Sequence, residues 1–99
     1  MVFEVADIEV KPGEEAAFEA AVAKAVPLFQ RAKGCSGMEL QRSVEKPSKY
    51  RLVVKWATVE DHMVHFREST DFQEWRRLAG PHFATAPVVE HTHTVLSGF

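Results

Sequence analysis

The sequence predicts an α+β domain of ferredoxin-like order, β-α-β-β-α-β, in which a four-stranded antiparallel sheet carries two helices on one face. Three observations support this. Segments near both ends and in the middle alternate apolar and polar residues with the period of a strand. Two intervening stretches place apolar residues at helical spacing. A Lys46-Pro47-Ser48 turn joins the two central strand segments into a hairpin.

The opening VFEVADIEV alternates and ends at KPGEE, giving a first strand at about 2–10. Pro12 and Gly13 form the turn, and Glu14 and Glu15 suit a helix N-terminus, where the backbone dipole favours negative charge. A first helix follows at about 14–33, with Phe18, Ala21, Val22, Ala25 and Phe29 on one stripe. Pro27 removes one of its backbone hydrogen bonds and is expected to kink or divide it, and Gly34 is a natural stop. The hairpin strands fall at about 36–45 and 49–57. A second helix is expected from Thr58, a capping residue with Asp61 three positions on, to about 67. A further piece at about 69–79 starts at Ser69 and continues at an angle. AGPHFATAP reads as a loop and VVEHTHTVL as the last strand, about 87–96.

At 99 residues the chain makes a single domain, 1–99, with a modest core. Its 45% apolar and 26% charged residues are those of a globular protein. A net charge of −2 gives no basic field for nucleic acid or an anionic membrane. No apolar run approaches the roughly 20 residues of a bilayer span, and no signal-peptide pattern is seen, so a cytoplasmic location is expected. The single cysteine, Cys35, reads as a small residue filling a turn; the local sequence offers it only Lys33, not a base.

The third strand is apolar on both sides, with Tyr50, Leu52, Val54 and Trp56 on one face and Val53 and Ala57 on the other. The fourth shows Val89 and Val95 against Val88 and Leu96. Two helices cover only one face, and a sheet apolar on both sides wants cover on both. A homodimer packed sheet to sheet is therefore expected; a ligand cavity on the second face is the compatible alternative.

The stretches VKPGEEAAFEAAV, KGCSGMELQRSVEKPSKYRLVVKWATVEDHMVHFRESTDF and PVVEHTHTV resemble the antibiotic biosynthesis monooxygenase (ABM) domain of the dimeric α+β barrel superfamily. The resemblance runs in order along nearly the whole chain. It implies a homodimeric barrel with a pocket between the sheet and helices of each subunit. Some members of that superfamily oxidise quinols or anthrones with O₂ and no metal or flavin; others bind haem, isomerise or degrade small metabolites. The haem-degrading relatives use an asparagine, a tryptophan and an axial histidine where this chain carries Asp7, Phe66 and Arg76. Arginine stays protonated and cannot ligate iron, so haem degradation is disfavoured. His65 or His82 would serve only in a different geometry.

His62 and His65 lie three apart on the second helix and face roughly the same way, while His91 and His93 share one face of the last strand. An H-x-H pair needs a third ligand to hold zinc, and none is evident: Glu90 points to the other face and Asp61 or His65 would have to come from elsewhere. His62 reads as a solvated helix residue, and His91 and His93 as half-buried and hydrogen-bonded to neighbours. The resemblance makes His65 the pocket histidine, set to take a proton from a substrate hydroxyl; packing beneath the third strand is the structural alternative. Asp7, in mid-strand, is the second candidate for proton transfer if it faces the pocket. Trp56, Phe66, Phe72 and Trp75 would wall a flat aromatic ligand, with Phe83 beside them, unless they are simply core. Arg51 and Arg76 would neutralise a developing oxyanion, unless they are simply surface residues or salt-bridge partners.

The combined reading is a cofactor-independent monooxygenase of a small aromatic substrate, with His65 and Asp7 catalytic. No G-x-G-x-x-G, Walker loop or C-x-x-C is present, and neither cofactor nor metal is expected. The alternatives are a non-catalytic dimer binding a small apolar metabolite, or an isomerase or lyase using the same base. Convergence of His65 and Asp7 on one cavity would favour catalysis; His65 at the surface would favour binding.

Overall fold

A computed structural model describes every residue, Met1–Phe99. The chain runs β1 (Val2–Glu9), α1 (Glu15–Gln30), β2 (Cys35–Arg42), β3 (Lys49–Trp56), a π-helical turn (Asp61–Phe66), α2 (Thr70–Ala79), a 3₁₀ turn (Gly80–His82) and β4 (Val88–Thr92). The four strands form one antiparallel sheet in the order β2-β3-β1-β4. This is the ferredoxin-like α+β fold expected from the sequence.

Strand alternation decides which residues meet the helices. Glu4, Ala6 and Ile8 of β1 and Tyr50, Leu52, Val54 and Trp56 of β3 are buried on the helix side. From α1, Phe18, Ala21, Val22, Ala25, Leu28 and Phe29 pack onto them. Phe29 contacts Phe66 and Trp75 with ring centroids 4.9 and 5.3 Å apart, which ties α1 to the π-turn and α2. Full burial of each such side chain stabilises by about 2 kcal/mol. On the opposite face Phe3, Val5 and Val53 are half-buried, with no layer above them in the single chain.

Four boundaries differ from expectation. Pro27 neither divides nor ends α1: it lies on the exposed side, where a missing amide bond leaves no buried carbonyl unsatisfied. The helix stops at Gln30, short of 33, and Gly34 at φ +79° turns the chain into β2. A side chain at 34 would meet the Asp61 carboxylate, so glycine is required there twice over. The helix expected over 58–67 is instead the π-turn, with Arg67 N–H reaching back five residues to the His62 carbonyl at 3.1 Å. Thr58 still caps it, accepting from the Asp61 amide at 3.0 Å. Ser69 caps α2 as expected, accepting from the Phe72 amide at 3.2 Å. β4 ends at Thr92 rather than 96, because Thr92 already pairs with Phe3, one residue from the start of β1. Val95 and Leu96 are left exposed.

Candidate active site

Between the inner face of the sheet and the π-turn and α2 lies a cavity of about 640 Å³. Its walls are largely apolar, formed by Ile8, Leu52, Phe72, Trp75, Phe83 and Val89. The charged or titratable side chains that line it are Glu4, His62, Arg67 and Arg76.

Glu4 occupies an inward position of β1, where the pleat carries its carboxyl into the core at 6% exposure. Burial of a carboxyl is costly without partners, and Glu4 has two. The Trp56 indole N–H donates to Oε1 at 3.0 Å, and His62 Nε2 lies 3.2 Å from the same oxygen. His62 is held flat against the Trp56 ring, with centroids 5.2 Å apart and planes 17° from parallel. Its Nδ1 meets His91 Nε2 at 2.8 Å. With His62 Nδ1 as the acceptor, His91 Nε2–H donates to it, and the His62 ring then turns Nε2 toward the Glu4 carboxyl.

Burial sets the protonation states. It raises Glu4 to about 7, against the opposing effects of the Trp56 hydrogen bond and the Arg67 charge. It lowers His62 to about 4, with His91 and Arg67 pushing the same way. Although Glu4 and His62 sit at ion-pair distance, the pair is therefore neutral across the interval between those two values. Above it, Glu4 is a carboxylate that accepts from the Trp56 indole N–H, with His62 beside it, at the edge of the cavity. Such a group is poised to exchange a proton near neutral pH.

The residues expected to form the site are only partly brought together. Phe72, Trp75 and Arg76 line the cavity. Trp56 and Phe66 are buried behind it; Trp56 acts through its indole N–H on Glu4, and Phe66 packs against Phe29 and Phe72. His65 does not reach the cavity. It is 42% exposed and its Nε2 lies 3.7 Å from Glu60. The wide π-turn is the reason: it makes His62 and Phe66 the inward pair and rotates His65 out to solvent. Asp7 falls on the other face of β1 and pairs with Arg51 at 3.0 Å, so neither enters the cavity. His62 is buried rather than solvated; His91 is half-buried and hydrogen-bonded to it, as expected, whereas His93, beyond the end of β4, is exposed rather than half-buried. The signal for Glu4 was present in the sequence as an acid in phase with Ala6 and Ile8.

The model of the antibiotic biosynthesis monooxygenase family matches residues 1–78, and the chain belongs to that family. It is 39% identical to the uncharacterized protein YczJ of Bacillus subtilis (strain 168), covering 96% of this chain and 100% of that one. Among solved structures it resembles a protein of Bordetella bronchiseptica assigned to the antibiotic biosynthesis monooxygenases, at 58% identity and TM-score 0.95, over 96% of this chain and 97% of that one. SnoaB of Streptomyces nogalater, described as a cofactor-independent oxygenase, shares the fold at TM-score 0.83 and 18% identity, over 97% of this chain and 94% of that one. No helix is long and apolar enough to cross a membrane.

The Glu4 and His62 shifts act on stability in opposite directions. Glu4, raised on folding, stabilises fully below about 4.5 and loses that contribution as pH rises to about 7. His62, lowered on folding, gives stability that is present above its ordinary 6.5 and lost as pH falls toward about 4. Replacing Glu4 by Gln keeps an oxygen for Trp56 and His62 but removes the ionisation. Relative to the parent, Glu4→Gln should gain about 3 kcal/mol in stability as pH rises across the Glu4 interval. Urea unfolding at either end of that interval measures it; an unchanged difference between the two proteins contradicts the assignment.

Proposed function

We propose that the protein is a monooxygenase that oxidises an electron-rich quinol or anthrone-like substrate with O₂, and that Glu4 is its base. The observation that carries this reading is the Glu4–His62–His91 chain on the wall of an apolar cavity. The cavity volume lies within the about 300–1,000 Å³ typical of small-molecule sites. Phe72, Trp75 and Phe83 offer flat surfaces for an aromatic ring.

In the proposed reaction the Glu4 carboxylate takes the acidic proton of the substrate. The resulting anion passes one electron to O₂, and the two radicals combine to form a carbon–oxygen bond. The peroxide then loses water, leaving a carbonyl. An anthrone methylene thus gives up two hydrogens, one oxygen atom enters the product and the other leaves as water. The substrate supplies all four electrons that reduce O₂. Neutral His62 holds Glu4 in place and links it through His91, which is half-buried, to a path for the proton. The exposed His65 takes no part, and the base-dependent reading passes from it to Glu4.

Oxygen uptake with hydroquinones and an anthrone tests this. Uptake should rise with pH through about 7 as Glu4 ionises. Glu4→Gln should lower it roughly a hundredfold, whereas His65→Ala should leave it nearly unchanged. Uptake that is insensitive to Glu4→Gln, or equal to the spontaneous rate across the panel, would favour simple binding or base-catalysed isomerisation in the same cavity.

We also infer a homodimer through the open sheet face. Phe3, Val5 and Val53 lie there, Val88 is exposed at its edge, and Val95, Leu96 and Phe99 are exposed in the segment after β4. Light scattering should give twice the 11.2 kDa chain mass. Val53→Glu should shift the protein to a monomer that keeps its secondary structure, because a charge on that face opposes sheet-to-sheet packing. A monomeric parent would refute the dimer.

A further inference from the structure

Arginine pairing separates the cavity from the rest of the surface. Four of the six arginines have a carboxylate partner: Arg31 with Asp71, Arg42 with Glu19, Arg51 with Asp7 and Arg77 with Glu74. The two without one, Arg67 and Arg76, both line the cavity. A single unpaired surface arginine is ordinary; both unpaired ones on one apolar cavity are a pattern.

One of the two guanidinium groups packs on an aromatic wall of the cavity. Arg67 lies over the Phe72 ring, 5.5 Å from its centroid, and Arg76 follows Phe72 by one helical turn. The only carboxyl lining the cavity is Glu4; it accepts from Trp56, and Arg67 acts on it through charge alone, without an ion-pair contact. The cavity is thus positive in a chain whose net charge is −2. Its charge is a local feature and not the reflection of a basic protein. Arginine presents a planar fork of donors suited to a carboxylate.

We propose that the substrate carries a standing carboxylate, held by Arg67 and Arg76, on an aromatic framework whose acidic proton faces Glu4. This rests on the reading of the cavity as the substrate site and narrows the substrate class to aromatic acids. The arginines select and orient; Glu4 takes the proton. A neutral quinol would leave Arg76 without a counter-charge in the cavity and Arg67 with only ionised Glu4, and an ionised hydroxyl at Glu4 would form only after binding.

Binding of gentisate and of its neutral methyl ester, measured without oxygen by calorimetry and by tryptophan fluorescence, tests this. Both keep the reactive hydroxyls, and only one keeps the charge. The acid should bind about tenfold more tightly than the ester, a difference of about 1.4 kcal/mol. Arg67→Gln combined with Arg76→Gln should abolish that preference, chiefly through lost affinity for the acid, and should stay folded, since both side chains are exposed and their replacement spares the core. Equal affinity for acid and ester in the parent, or no binding of either, overturns the proposal. So does a double variant that stays folded and retains the preference. Oxygen uptake in air is read separately. Preference for the acid with no uptake defeats the oxygenase reading alone, and uptake without preference defeats this one alone.

Discussion

The carboxyl of Glu4 is the constraint on which the rest of the site depends. β1 presents it to the core, and an acid there must be satisfied or it destabilises the fold. Trp56, at the end of the neighbouring strand, supplies one donor. A second polar neighbour is His62, which no strand can deliver. An extra residue in the helical turn after β3 brings His62 inward, flat against Trp56, and His91 fixes its other nitrogen. Single-turn π-helical bulges cost regularity and are found often at functional sites. Here the bulge completes a buried polar network in which no buried side-chain nitrogen or oxygen lacks a partner.

That network explains the placement of the cavity. After the π-turn, Ser69 accepts from the Phe72 amide and donates to the Phe66 carbonyl at 2.6 Å, so the chain changes direction between the turn and α2. α2 then leans on α1 through Trp75 and Phe29 and leaves a space above β1 and β4. The polar chain lies at one wall of this space and aromatic side chains form much of the rest. Desolvation does two things with one arrangement. It makes ionised Glu4 unfavourable for stability, and it makes the same carboxylate a stronger base than one in water.

The sheet, its strand order and the helix-side core were legible from period-two alternation and from the apolar stripe of the first helix, because those signals follow from backbone geometry alone. Three features were not. The π-turn has no propensity signature, so DHMVHF read as an α-helix with His62 and His65 on one side. That single change of period turns His62 inward and leaves His65, the histidine the resemblance placed in the pocket, at the surface. Asp7 was weighed as an acid in a strand without its phase: Ala6 and Ile8 point inward, so Asp7 points out and meets Arg51. Glu4 was in phase with the core and is the buried acid. Phe72, Trp75 and Arg76 were identifiable because α2 is a regular helix. Arg67 was not, since its direction depends on the turn before it.

The most direct test of the account is the titration of the Glu4 carboxyl itself, followed by carbon-detected NMR on protein labelled at glutamate, with Glu4→Gln used to assign the resonance. The account predicts a midpoint near neutrality, at about 7, set by burial. A midpoint near the ordinary 4.5 would mean that Glu4 is already a carboxylate throughout the physiological range. That result would remove the desolvated base on which the proposed chemistry depends.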